Sequence, residues 1–189
     1  MKLKILNNNK PFKKKLTISP LAWVFAALLA LILMVISFRV DFNLIGEKVE
    51  VMEDASHVPE GTDPGPFNTN PPTSGTHYEE HFTSEFFDEN IYDYPEGFLV
   101  HNLEHGYAIF WYNCDLLSLE KCEQLKSEIK GVMEKARMYK VIAYPWPSIE
   151  APVVITSWGR MLRMEKFDPD LAFRYVIKYR NQSPEPQGE

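Results

Sequence analysis

The chain has 189 residues, of which 45% are hydrophobic, 13% aromatic and 24% charged; this is the balance of a chain that buries a core, and it excludes collagen-like and low-hydrophobicity disordered sequences. Two cysteines are too few for a dense disulfide framework, and a net charge of -6 lacks the basic field of a generic nucleic-acid binder.

That charge is unevenly distributed. Residues 1–40 hold seven basic side chains and no acid, whereas the rest of the chain holds 13 basic and 26 acidic ones. The run Leu21 to Phe38 has no charge and one hydroxyl, Ser37. As a helix its 18 residues rise about 27 Å, close to the hydrocarbon thickness of a bilayer. Six lysines precede the run, so the positive-inside rule predicts a cytoplasmic N-terminus and an exported remainder. Ser37-Phe38-Arg39-Val40 offers no small-x-small site for a signal peptidase. The expected organisation is a basic cytoplasmic segment over 1–17, a single-pass transmembrane helix over 18–38 and a linker over 39–66 rich in proline and glycine. An exported α/β domain over 67–182 and a disordered tail over 183–189 follow.

Within the exported part, Phe67 and Tyr78 suggest that the irregular stretch between them packs on the domain. Tyr107–Tyr112 is an apolar, aromatic run bounded by Gly106 and Asn113, which predicts a buried strand. Leu119, Cys122, Leu125, Ile129, Val132, Met133 and Ala136 recur at helical spacing, with Ser118 as N-cap. Strands are expected at 139–144, 153–158 and 160–165, and a last helix after the cap and proline of Asp168-Pro169. This order matches a thioredoxin-like domain carrying an irregular N-terminal extension, and Ala151-Pro152 stands where that fold places a cis-proline. Met161 and Met164 resemble spaced thioethers for Cu(I), but three residues apart on a strand they face opposite sides, as packing residues would.

Cys114 and Cys122 have the wrong spacing for a two-residue redox motif. In an oxidising compartment they predict a structural disulfide joining strand to helix.

All five histidines, His57, His77, His81, His101 and His105, fall within one window of the chain. His77/His81 and His101/His105 are spaced i, i+4, which on a helix places two imidazoles on one face within reach of one metal ion. Glu104 adds an oxygen ligand or an acceptor that orients an imidazole. The expected ligand order is His101 and His105, then His77, His57 and last His81, whose neighbours Glu79 and Glu80 favour a surface role. His101-Asn-Leu-Glu104-His105 also fits the inverted zinc-protease pattern H-x-x-E-H. That chemistry needs a stable helix, and Gly106 with the strand behind it is expected to end any helix after about one turn. No nucleophile with a paired base stands out; Ser74 near His77 is a weak candidate.

His57-Val58, Asn70-Pro-Pro-Thr-Ser-Gly-Thr-His77, Leu99-Val-His-Asn-Leu-Glu-His-Gly106, Ser157-Trp-Gly-Arg160 and a closing helix followed by Ser183-Pro-Glu together resemble a prokaryotic, mostly membrane-anchored family of domains of unknown function. The likeness covers roughly residues 50 to 186. It departs at Thr76, where the family usually has proline. It implies an extracytoplasmic domain with histidine positions at His57, His77, His101 and His105, and it implies no activity.

Three readings follow. The first is a membrane-anchored domain that binds copper or zinc through His77, His101 and His105, completed by His57 or Glu104, for delivery or assembly; imidazole suits these metals and not calcium. The second is a metal-dependent hydrolase or oxidase with an open coordination position. The third is a non-catalytic partner-binding domain with structural histidines.

Overall fold

The computed structural model describes residues 19–43 and 45–188, with side chains described for 19–35 and 45–188. The basic segment expected over 1–17 lies outside the described residues. The chain divides into two compact units, Met1–Asp41 and Phe42–Glu189.

In the first unit, helix α1 (Pro20–Asn43) begins with proline at its first position, and Ser19 Oγ accepts the Ala22 amide at 3.3 Å. Its described side chains, including Leu21, Trp23, Phe25, Leu29 and Leu33, are exposed. Among the described residues no helix is long and apolar enough to cross a membrane.

The second unit is a mixed α/β domain built on a five-stranded sheet in the order β1-β5-β4-β2-β3. Strand β2 (Ala108–Tyr112) pairs in parallel with β3 (Val141–Pro145) and antiparallel with β4 (Val153–Ser157); β4 pairs antiparallel with β5 (Arg160–Met164), and β5 with β1 (Glu47–Lys48). The parallel β2–β3 pair needs a crossover, which α3 (Leu119–Lys135) supplies after a 3-10 turn at Cys114–Leu116. Ser118 Oγ accepts the Lys121 amide to start α3, and Asp168 Oδ1 accepts the amides of Asp170 and Leu171 to start α4 (Pro169–Tyr179).

Strand periodicity divides the core. Ala108, Phe110 and Tyr112 face α3 and α4, while Ile109 and Trp111 face α2 (Glu96–Glu104) and the irregular segments before it. Both faces of β2 are therefore buried, which explains its continuous apolar run. Met161 and Met164 pack into opposite sides of the sheet, as their spacing predicts. Cys114 and Cys122 form a disulfide with Cα atoms 5.3 Å apart, tying the end of β2 to the first turn of α3.

Four features differ from the sequence expectation. The stretch taken as a linker is folded onto the domain: Ile45 is buried, Glu47–Lys48 pairs with β5, and the Val49 amide bonds to the Gly159 carbonyl at 3.0 Å. The tail is docked, because the buried Lys140 ammonium donates to the carbonyls of His105, Pro186 and Gly188 at 2.9, 2.9 and 2.8 Å. Those three acceptors use all three of its protons. Helix α2 has nine residues rather than one turn, because it extends back to Glu96 beneath the sheet. The cis peptide bonds among the described residues are Gly65-Pro66 and Asn70-Pro71, and Ala151-Pro152 is not one of them; the Pro152 carbonyl there accepts the Asn113 amide at 3.0 Å.

Candidate metal centre

Helix α2 places three of the site residues. From Gly97 to Leu103 every side is buried, and Gly97 lies so close to the Tyr78 ring that an added Cβ would sit 2.3 Å from it. The helix stops where the sequence changes its backbone preference: Gly106 takes φ +84°, its amide bonds to the Leu103 carbonyl at 2.9 Å, and the Tyr107 amide reaches Asn102 at 3.0 Å. These two bonds form a Schellman motif, which satisfies the last carbonyls and turns the chain into β2. His101 and His105, one turn apart, are thereby held on one face, with ring centroids 4.3 Å apart and Nε2 atoms 3.1 Å apart.

The other imidazoles arrive on loops that side-chain and backbone bonds fix to α2. His57 and His77 form a bridge: the Val58 amide donates to the His77 carbonyl at 2.7 Å and the His77 amide to Ser56 at 3.2 Å. The Tyr78 amide then bonds to the Gly97 carbonyl at 3.0 Å. Ser74 Oγ accepts the Met52 amide at 3.0 Å, a role in holding this loop and not that of a nucleophile. Thr76 donates to the Pro64 carbonyl, so its hydroxyl also braces the loop. Fully buried Asn102 clamps the next segment, with Oδ1 accepting the Phe82 amide at 3.0 Å and Nδ2 donating to its carbonyl at 2.7 Å. The clamp brings His81 beside α2, 4.9 Å from His105 and 5.2 Å from His101 between ring centroids.

All five imidazoles thus form one connected cluster, His57 lying 4.8 Å from His77 and 5.2 Å from His101, and His77 lying 5.0 Å from His101. Two groups in it have ligand atoms within 4.8 Å of one another: His57, His77, His101 and Glu104, and His81, His101 and His105. Ligand atoms bonded at 2.0–2.1 Å to one ion stand about 2.9 Å apart at right angles and about 3.4 Å apart in a tetrahedron. The His77 Nε2 to Glu104 Oε2 distance is 3.0 Å, and His101 Nε2 to His105 Nε2 is 3.1 Å.

The donor chemistry of His77 fits a metal ligand. Its Nδ1 lies 2.9 Å from the Gly75 carbonyl, which can only accept, so Nδ1 donates there and Nε2 is the nitrogen that can face a ligand. Nε2 is buried and faces Glu104 Oε2 at 3.0 Å. A proton on Nε2 or a metal ion shared with Glu104 would each make this contact favourable. His101 is suited in another way: burial, and then the charges of His105, His77 and His81, push its pKa from 6.5 down to about 4, leaving the neutral, ligating form at neutral pH. Carboxylates flank the cluster, with Glu79 2.8 Å from His57 Nδ1 and Glu185 3.7 Å from His105 Nε2.

Every histidine chosen from the sequence lies in the cluster. His81, expected last among the ligands, is half-buried and lies within ligand distance of His101 and His105. The i, i+4 relation to His77 was the wrong signal for it, since neither residue is on a helix. The Asn102 clamp, a contact between residues 20 apart, is what places it.

The chain belongs to the family described as protein of unknown function (DUF3105), whose model matches residues 60–189. No curated protein and no solved structure matches it significantly.

Proposed function

We propose that the domain binds a transition-metal ion, copper or zinc, through His57, His77, His101 and Glu104, with His105 alongside, and serves in metal delivery or assembly. The observation that carries this is the buried Nε2 of His77 facing Glu104 Oε2 at 3.0 Å beside two further imidazoles. Three nitrogens and one oxygen fill a tetrahedral set, which suits holding an ion better than activating a substrate on it. A second reading, a metal-dependent hydrolase or oxidase, has one observation in its favour: His81, His101 and His105 alone are three ligands and leave a fourth position open.

The domain is further read as thioredoxin-like and exported, tethered by α1 with the N-terminus in the cytoplasm. The order β3-β2-β4-β5, with only β2 and β3 parallel, supports the fold reading. The uncharged run Leu21–Phe38 within the 24-residue α1, the lysines before it and the disulfide support the placement.

The test is metal analysis of the full-length chain, purified in detergent without a histidine tag and dialysed against zinc or copper. One equivalent is expected, with loss in His101→Asn and weakening in Glu104→Gln. Below a tenth of an equivalent in the unmodified chain, the histidines are structural and the partner-binding reading stands instead. A metal-loaded sample that turns over hydrolysable esters or phosphates favours the enzyme.

A further inference from the structure

The two ligand groups have one member in common, His101. A neutral imidazole has a single lone pair to give a metal, and which nitrogen carries it is set by what the other faces. His101 Nδ1 points at the Glu80 carbonyl at 3.4 Å, a long contact with a group that only accepts, so the proton is on Nδ1 and Nε2 is the ligand atom. One Nε2 supports one bond to one ion at a time.

Resting on the metal-binding reading above, we infer that the five histidines make two overlapping positions for a single cargo ion, which passes between a His57–His77–His101–Glu104 set and a His81–His101–His105 set. His101 stays bound while the remaining ligands exchange around it, so no free ion forms. The continuous ring contacts provide the path: His57 to His77 to His101, and from there to His81 and His105. Exposure gives it two ends. The side chain of His57 is 44% exposed and His81 is half-buried, whereas His77, His101 and His105 between them are buried. Negative charge accompanies the ion along the way, from Glu79 at His57, through Glu104 at His77, to Glu185 at His105. Glu185 is brought there by the docked tail, its amide bonded to the Glu104 carbonyl at 3.1 Å. The class of partner this fits is a metal donor on one side and a metal acceptor on the other, each presenting its own ligands to an outer histidine.

Co(II) is the probe, because its visible bands report the ligand set. The metal-free, full-length chain in detergent is titrated with Co(II) alone, and so are His81→Gln, the double variant His57→Gln/Glu104→Gln, and His101→Asn. The expected result is one equivalent in the unmodified chain and in each of the first two variants. The two variants then give different spectra, and the unmodified chain gives a mixture of both. His101→Asn retains less than a tenth of the binding. No binding in the double variant, or a His81→Gln spectrum identical to the unmodified one, overturns the inference and leaves the single-site reading intact; two equivalents in the unmodified chain overturn the inference and show two independent sites. No cobalt bound to the unmodified chain overturns both. Where His101→Asn changes the near-ultraviolet circular dichroism, the other three proteins decide.

Discussion

Glu96 opens α2 with a carboxylate oxygen, Oε2, that is buried and has no hydrogen-bond partner. Burial pushes its pKa above the usual carboxylate range; its own backbone amide pulls the other way and the charge of Asp63 adds to the rise. The folded state therefore holds this proton more tightly than the unfolded chain does. Between the unfolded value and the raised folded one, the native form binds more protons, so stability falls as pH rises through that interval. Glu96→Gln removes the cost of the buried charge and keeps the shape. It is expected to raise the melting temperature at pH 7 and to have little effect below about pH 4, where the unmodified side chain is protonated in both states. An unchanged or lower melting temperature at pH 7 would show that the helix N-terminus compensates the charge in full. Glu96 lies outside both histidine groups, so this test separates the stability of α2 from metal binding.

Helix α2 and the segments clamped to it show which elements can be read from a sequence and which cannot. Strand β2, the capped helices α3 and α4, and the β4–β5 hairpin follow from local patterns: alternation, 3.6-residue spacing, Ser118 and Asp168 as caps, Gly159 as the turn. Helix α2 is buried from Gly97 to Leu103, so it has no polar stripe to mark it, and Pro95 at its start gives no side-chain cap. Strand β1 is two residues long, too short for any period. The choice of His57, His77, His101 and His105 was legible from clustering and resemblance, but the place of His81 was not, since it depends on Asn102. Asn102→Ala leaves the half-buried amide and carbonyl of Phe82 without these partners, which costs about 1–3 kcal/mol. The expected outcome is a lower denaturation midpoint and a cobalt spectrum shifted toward that of His81→Gln, because the loop carrying His81 is released. A shift in stability alone would show that the backbone around Phe82 holds His81 without the clamp.

The charge of the whole chain separates at the same place as its two compact units. Residues 1–40 carry seven positive charges, the remainder carries 13 positive against 26 negative, and the unit boundary falls at Asp41–Phe42. An acidic domain with a surface built from carboxylates raises the local concentration of cations, which suits a metal cargo. The proposed topology keeps the basic segment and its six lysines on the cytoplasmic face, since moving them across a bilayer would be costly. Under the proposed topology the chain remains in the membrane pellet after alkaline carbonate extraction, and protease added to intact cells with a permeable outer envelope digests the domain while a short N-terminal fragment survives. Replacing the six lysines with glutamine removes the asymmetry and is expected to leave a substantial fraction of the chain inverted, protected from protease and with free thiols at Cys114 and Cys122, because the disulfide persists only in an oxidising compartment. Protection of the unmodified domain from protease would place the histidines in the cytoplasm. The metal partners would then be cytosolic ones, and the disulfide would need a different origin.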